Sequence, residues 1–265
     1  ARTTEYSGPL EALRLEVENH YANRFLYELC AAWQQQVDAV RDWRSVALRS
    51  QARFFADHVE PIIRKGNRKA VVIISDALRF EVADELGSRI RKEDRFDAEL
   101  DAMLGVVPSY TQLGMAALLP HKTLAHSQDG DPVMVDGQRS DGTANRNKVL
   151  AQVDGFAIQA EDVLAMPNAE LRELYGAHQV LYVYHDRIDA AGDKARTERQ
   201  VFEAANDALR ELVDLIKRLT NANATNILVT ADHGFLYQDT ALADASYLST
   251  KPQGDELVVM NRRYV

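Results

Sequence analysis

Three short apolar runs in this chain are each followed by residues able to hold a cation. Residues 70–74 lead into Ser75-Asp76 and residues 180–184 into His185-Asp186, with Asp189 and Asp193 beyond; residues 227–230 lead into Ala231-Asp232-His233-Gly234. Carboxylates gathered in one place repel each other unless a cation lies among them or their pKa values are driven apart. Asp together with His is a ligand set suited to zinc and similar divalent ions. Each residue alone has a plainer reading. An Asp after a strand often caps a turn or a helix, Asp193 could cap the helix that follows it, and a single His such as His233 is more often structural. The combination at three strand ends is what points to metal chemistry.

A nucleophile candidate stands apart from these runs. Pro108-Ser109-Tyr110-Thr111 leads into a helical pattern over residues 112–119. A hydroxyl at a helix start meets free backbone N–H groups, a favourable place for a phosphate. A neighbouring metal would help ionise it. The plainer alternative is that Ser109 or Thr111 is an N-cap.

These groups can meet only if the elements before them share an edge. In an open parallel sheet the carboxyl ends of the strands do so, and ligands bind there. The three runs are strand-sized, and helical patterns intervene. The clearest covers residues 194–220, with Val201, Phe202, Ala205, Leu209, Leu212, Val213, Ile216 and Leu219 on one face. Residues 80–91 are a further helix, and strands are expected near 98–106 and 156–158. The alternation predicts an α/β fold, a mainly parallel sheet flanked by helices. Residues 125–143 hold three glycines and four aspartates without helical period. Val133 to Val135 followed by Asp136-Gly137 predicts a small hairpin, read as part of a surface insertion near the mouth of the site.

The front of the chain differs. Leu10, Leu13, Val17, Tyr21, Phe25, Leu29, Trp33, Val37 and Val40 fall three or four apart, predicting one long helix over the first forty residues. The stripe is read as core packing ahead of a docking face. A second helix is expected over 46–65, with Phe55, Val59 and Ile62 buried and Pro61 kinking it or starting a new turn; Gly66-Asn67 then breaks the pattern. The expected division is a helical region, 1–66, and a catalytic domain, 67–265.

Composition narrows the function. Of 265 residues, 46% are hydrophobic and 27% charged, as in ordinary globular proteins. The net charge of −9 argues against a broad basic surface for nucleic acid, but not against a phosphate-handling site whose metals add positive charge locally. No apolar run approaches the roughly 20 residues needed to span a bilayer. Cys30 is the only cysteine, which precludes an internal disulfide and fits a reducing cytoplasm. The chain opens on Ala in mid-pattern, and a longer parent protein is expected.

An early strand ending in Asp, a helix-starting Thr or Ser, a second Asp segment and then Asp-His-Gly is an order that resembles the alkaline phosphatase superfamily. Thr230-Ala231-Asp232-His233-Gly234 matches its last motif, and Pro108-Ser109-Tyr110-Thr111 is similar to the Pro-Thr-x-Thr nucleophile segment of its phosphodiesterase branch. Within it, Ile74-Ser75-Asp76-Ala77-Leu78-Arg79-Phe80-Glu81, Tyr110-Thr111-Gln112-Leu113-Gly114-Met115 and Tyr184-His185-Asp186-Arg187-Ile188-Asp189 resemble the PglZ family of BREX phage-defence systems. The resemblance implies an alkaline-phosphatase-like fold in which Asp76, Asp232 and His233 hold one metal, Thr111 is the nucleophile beside it, and Asp189 and Asp193 hold a second. The ion expected is zinc, with manganese or magnesium as alternates. Arg79 is a candidate phosphate-side donor or a surface ion-pair partner. Two departures stand out: Asp193 occupies a position usually held by His, and no His follows His233, so that His185 becomes a possible substitute ligand. The implied activity is a metal-dependent phosphodiesterase or nuclease in the cytoplasm, with DNA among its substrates and other BREX proteins as partners. The alternatives are a non-catalytic metal-binding scaffold and a phosphatase or phosphomutase.

Overall fold

The computed structural model describes residues 10–40, 42–43, 46–66, 68–93, 95–127, 132–192 and 198–236, the side chains of 192 and 198–201 excepted. The described residues up to Ala47, with Leu236, form one compact unit, and Leu48–Phe235 another.

In the first unit α1 (Glu11–His20) passes through a π-helical turn, Tyr21–Leu26, into α2 (Tyr27–Ala39). From residue 11 to 39 this is the continuous helix that the spacing predicts; residues 1–9 of the expected helix lie outside the described residues. The expected core stripe is not a core, however. Neither α1 nor α2 buries any residue, and Leu13, Val17, Phe25, Leu29 and Trp33 are exposed. Among the described residues of this unit, the helical rod has no second element to bury an apolar face against.

The second unit opens with β1 (Arg49–Ser50), a 3-10 turn at Gln51–Arg53, a π-helical turn at Phe55–Val59 and α3 (Glu60–Ile63). The single helix expected over 46–65 is thus broken into short turns. Pro61, in the first turn of α3, has no N–H to continue a ladder from the preceding turn. Phe55 and Val59 are buried as expected. There follow β2 (Ala70–Ser75), α4 (Phe80–Arg91), β3 (Met103–Leu104), α5 (Thr111–Ala117), β4 (Leu124–His126), β5 (Val133–Val135), β6 (Gln138–Arg139) and α6 (Gly142–Leu150). The unit continues through β7 (Gly155–Gln159), α7 (Ala160–Ala165), α8 (Asn168–Ala177), β8 (Val180–His185), α9 (Ile188–Gly192), α10 (Glu198–Asn221) and β9 (Ile227–Thr230).

The central sheet has the order β7-β8-β2-β9, and each neighbouring pair is parallel. Every residue of β2 and β8 is buried, as a sheet covered on both faces requires. Val71 and Ile73 meet one apolar layer with Leu86 of α4 and Leu209, Leu212 and Leu215 of α10. Ala70, Val72 and Ile74 point to the other, with Val59, Met115 and Leu118. The expected α/β architecture is therefore the observed one.

The hairpin over residues 133–139 forms through Asp136-Gly137, whose φ values of 48° and 78° suit a two-residue loop. Residues 136–139 of the turn are exposed, while one face of the hairpin packs inward. β4 adds a third antiparallel strand, and Val133 and Val135 are buried in the layer that holds α5. Among the described residues, no helix is long and apolar enough to cross a membrane.

Candidate metal centre

The register of the sheet brings the predicted residues level. Ser75 pairs with His185 and Ile74 with Thr230, so Asp76, Asp186 and Asp232 follow neighbouring strands out of one edge. After β2 the chain turns at once. The Leu78 N–H donates to Ser75 O at 3.2 Å, closing a four-residue turn in which Ala77 has a φ of 60°. A non-glycine residue pays about 1 kcal/mol or more for that left-handed conformation. It turns the Ala77 N–H onto Asp232 Oδ1 at 3.1 Å, while the Asp76 N–H donates to His185 O at 2.8 Å. The strained turn therefore ties the ends of β2, β8 and β9 together.

Asp76 Oδ1, Asp232 Oδ2 and His233 Nε2 converge there. The imidazole nitrogen lies 3.5 Å from each carboxylate oxygen. Both oxygens are buried and make no hydrogen bond. His233 Nδ1 lies 3.1 Å from Gly234 O. A carbonyl can only accept, so Nδ1 carries the proton in that bond and the Nε2 lone pair faces the two carboxylates. Two ligands bonded at about 2.1 Å to a common tetrahedral ion stand roughly 3.4 Å apart, close to the spacing found. The donor set therefore fits a divalent cation.

The electrostatics agree. Burial pushes the Asp76 carboxyl up to about 9, with repulsion from Asp232, Asp189 and Asp186 adding to it. Burial likewise raises Asp232, against the opposing attraction of His233. Two buried acids with orphaned oxygens are costly to ionise alone, and a cation removes that cost.

Thr111 joins the cluster: its Oγ1 is 2.9 Å from His233 Nε2. It is the first residue of α5, and the N-cap position belongs to Tyr110, whose side chain makes no capping bond. The approach of α5 is set by Gly114. A Cβ there would stand 2.3 Å from Asp232 O and 2.8 Å from its carbonyl carbon, so the helix lies directly on the backbone of the ligand loop.

A second group shares Asp76. Ligand atoms of Asp76, Asp186 and Asp189 all lie within 4.8 Å of one another. The resemblance did not assign Asp186 as a ligand, although it follows β8 directly and stands among the residues able to hold a cation; its Oδ1 also accepts the Ala190 N–H at 3.0 Å, the plainer capping role. Asp193 lies outside the described residues. His185, the possible substitute ligand, is turned to other partners. Its Nδ1 is 3.0 Å from Ser75 Oγ and its Nε2 is 3.1 Å from Glu211 Oε2, so both nitrogens are engaged in a buried network. Burial lowers its pKa, against Glu211. Arg79 precedes α4; its Nε pairs with Glu81 Oε1 at 2.6 Å and its guanidinium lies 5.3 Å from the Phe235 ring centroid.

Known proteins share this arrangement of sequence. The family described as the BREX system PglZ alkaline phosphatase-like domain matches residues 54–265. The chain is 44% identical over 252 residues to the alkaline phosphatase-like protein BrxZ of Escherichia coli O9:H4 (strain HS), covering 92% of this chain and 29% of that protein. It is 39% identical over 236 residues to the alkaline phosphatase-like protein PglZ of Bacillus cereus (strain H3081.97), covering 87% of this chain and 27% of that protein. The chain thus spans less than a third of the length of these curated relatives.

Proposed function

This chain belongs to the PglZ family of alkaline-phosphatase-like domains, and on that premise we propose that it is a metal-dependent phosphoric-ester hydrolase, a phosphodiesterase or nuclease acting in BREX antiphage defence. The observation that carries the reading is a hydroxyl 2.9 Å from the nitrogen of His233, itself facing two buried carboxylate oxygens without hydrogen bonds.

Asp76, Asp232 and His233 would hold one ion, zinc foremost, with manganese or magnesium as alternates. Asp186 and Asp189, with Asp193, would hold a second that shares Asp76. Bound metal would supply the positive charge that offsets the carboxylates, polarises a phosphoryl oxygen and lowers the pKa of the Thr111 hydroxyl. Thr111 Oγ1, giving up its proton to solvent, would then attack phosphorus, forming a threonine–phosphorus ester as the bond to the leaving oxygen breaks and that group departs as an alcohol after taking a proton from water. Water would cleave that ester and restore Thr111. Such chemistry is mainly positioning and charge stabilisation, which suits a nucleophile pinned by α5 against the ligand loop. Arg79 would serve as a donor on the phosphate side. The substrate would be a phosphodiester, DNA among the candidates, and the partners other BREX proteins in the cytoplasm.

The test is turnover by the purified chain, stripped with chelator and reloaded with zinc or manganese. Bis-p-nitrophenyl phosphate and p-nitrophenyl phosphate serve as diester and monoester, with elemental analysis for bound metal. Metal-dependent cleavage of the diester is expected. Preference for the monoester would favour a phosphatase, and bound metal without turnover of either would favour a scaffold.

A further inference from the structure

We propose that Gln51 is a positioning residue that holds the metal-ligand loop and the nucleophile segment in register, a role that rests on the hydrolase reading above. Gln51 lies three residues ahead of the stretch matched by the family and is only 2% exposed. A buried carboxamide has two N–H donors and a carbonyl acceptor to satisfy. Its Nε2 donates to Ala231 O at 3.0 Å and to Asp232 O at 2.7 Å, and its Oε1 accepts the Val106 N–H at 3.0 Å. These partners leave no choice of amide orientation, since a flipped group would set oxygen against two carbonyls and nitrogen against an N–H.

The two segments joined are those whose spacing the chemistry needs. Ala231 and Asp232 open the loop that carries Asp232 and His233. Val106 begins the short run that ends in Thr111. Among the described residues β9 is an edge strand, with β2 as its neighbour, and the loop after it is tied to the sheet through Asp232 Oδ1 and the Ala77 N–H. Gln51 supplies a second tie, to the backbone of the same loop. Gly114 packs on the Asp232 carbonyl as well. The carbonyl of one metal ligand is thus held between a carboxamide 181 residues away and the helix of the nucleophile. The catalytic unit extends back at least to residue 51.

Two variants and one control separate positioning from general stability. Gln51→Leu removes every polar tie. Gln51→Glu keeps the acceptor for Val106 but turns an oxygen toward the two loop carbonyls. Leu171→Ala, fully buried in α8 and in the apolar layer on the face of the sheet opposite α5, is the general destabilising control. In the zinc-loaded chain, both Gln51 variants should lower kcat for bis-p-nitrophenyl phosphate by about tenfold or more, with KM within about threefold. Leu171→Ala should lower the melting temperature and leave kcat alone. Hydrogen exchange read by mass spectrometry gives a measure independent of turnover. Gln51→Leu should speed exchange in residues 103–117 and 227–236, and Gln51→Glu chiefly in 227–236. Unchanged exchange in 227–236, or kcat within about threefold of an active parent, overturns the proposal. A parent without turnover sinks the hydrolase reading instead, and the exchange pattern alone then decides the role of Gln51. Should Gln51→Leu fail to fold, Gln51→Glu carries the same decision.

Discussion

Replacing Gly114 by alanine isolates how closely the nucleophile helix must approach the ligand loop. At an unobstructed helical position the change stabilises by about 1 kcal/mol. Gly176 in α8 is such a position, with no heavy atom within 4 Å of an added Cβ. At Gly114 the same methyl would stand 2.3 Å from Asp232 O and 3.0 Å from Asp232 Cβ. A carbon usually rests about 3.3–3.6 Å from a carbonyl oxygen, so α5 or the loop must retreat by roughly 1 Å. The obstructing atoms are mostly backbone and cannot rotate away. Overpacking of this kind costs about 1–3 kcal/mol, which outweighs the gain in helix propensity over most of that range. Gly114→Ala should therefore melt below the parent by about 2–6 °C, while Gly176→Ala melts at or above it. The retreat also opens the Thr111–His233 spacing, and a misplacement near 1 Å lowers turnover by about a hundredfold. The assay is thermal melting with and without zinc, alongside turnover of the diester. A Gly114→Ala protein that melts like Gly176→Ala and turns over at the parent rate would refute the close-approach argument.

Further outcomes follow from the same geometry. Asp232→Ala or His233→Ala should lose bound metal and turnover while keeping the far-ultraviolet circular dichroism of the parent; full metal occupancy by elemental analysis would show that the ligands lie elsewhere. Thr111→Ala should retain metal and melt within about 1 kcal/mol of the parent, because Thr111 is not the N-cap, yet lose turnover. Thr111→Ser should keep turnover, and an active alanine variant would favour direct attack by water. The metal-free protein should lose stability from pH 7 to 9. The folded-state pKa of Asp76, raised to about 9, lies above its unfolded value, so its contribution is full at acid pH and falls as pH rises through the folded pKa. This window avoids His185, whose lowered pKa acts on the acid side of its ordinary value. Asp76→Asn should flatten the dependence, and a chelated parent with level melting across that range would contradict it.

Much of the fold and part of the candidate site were legible in the sequence, because their signals are local. A six-residue run with four consecutive β-branched residues, such as Ala70–Ser75, announces a buried parallel strand. The spacing of Leu209, Leu212, Ile216 and Leu219 announces the helix that covers it. An Asp or His directly after such a strand must emerge at the carboxyl edge, which made Asp76, Asp232 and His233 visible together. Periodicity says which face of an element is apolar but not what lies opposite. The stripe on α1 and α2 therefore read as core although it is exposed, and the pattern around Asp136-Gly137 did not show that Val133 and Val135 are buried behind the exposed turn.

Strand ends likewise say which residues reach the edge but not which way each one turns. His185 and Asp186 leave β8 side by side. Only the packing of α10 draws the imidazole away to Glu211 and leaves the carboxylate near Asp76. Gln51 had no local signature, and Gly114 lay inside a recognised motif without a visible role, since what gives each its part is the Asp232 carbonyl, 181 and 118 residues further along the chain. The sequence alone determined the parallel α/β sheet and the residue types at its edge, because both follow from short-range pattern. The tertiary structure decided which of those residues converge and how tightly, because that spacing is set by hydrogen bonds and close contacts between segments far apart in the chain.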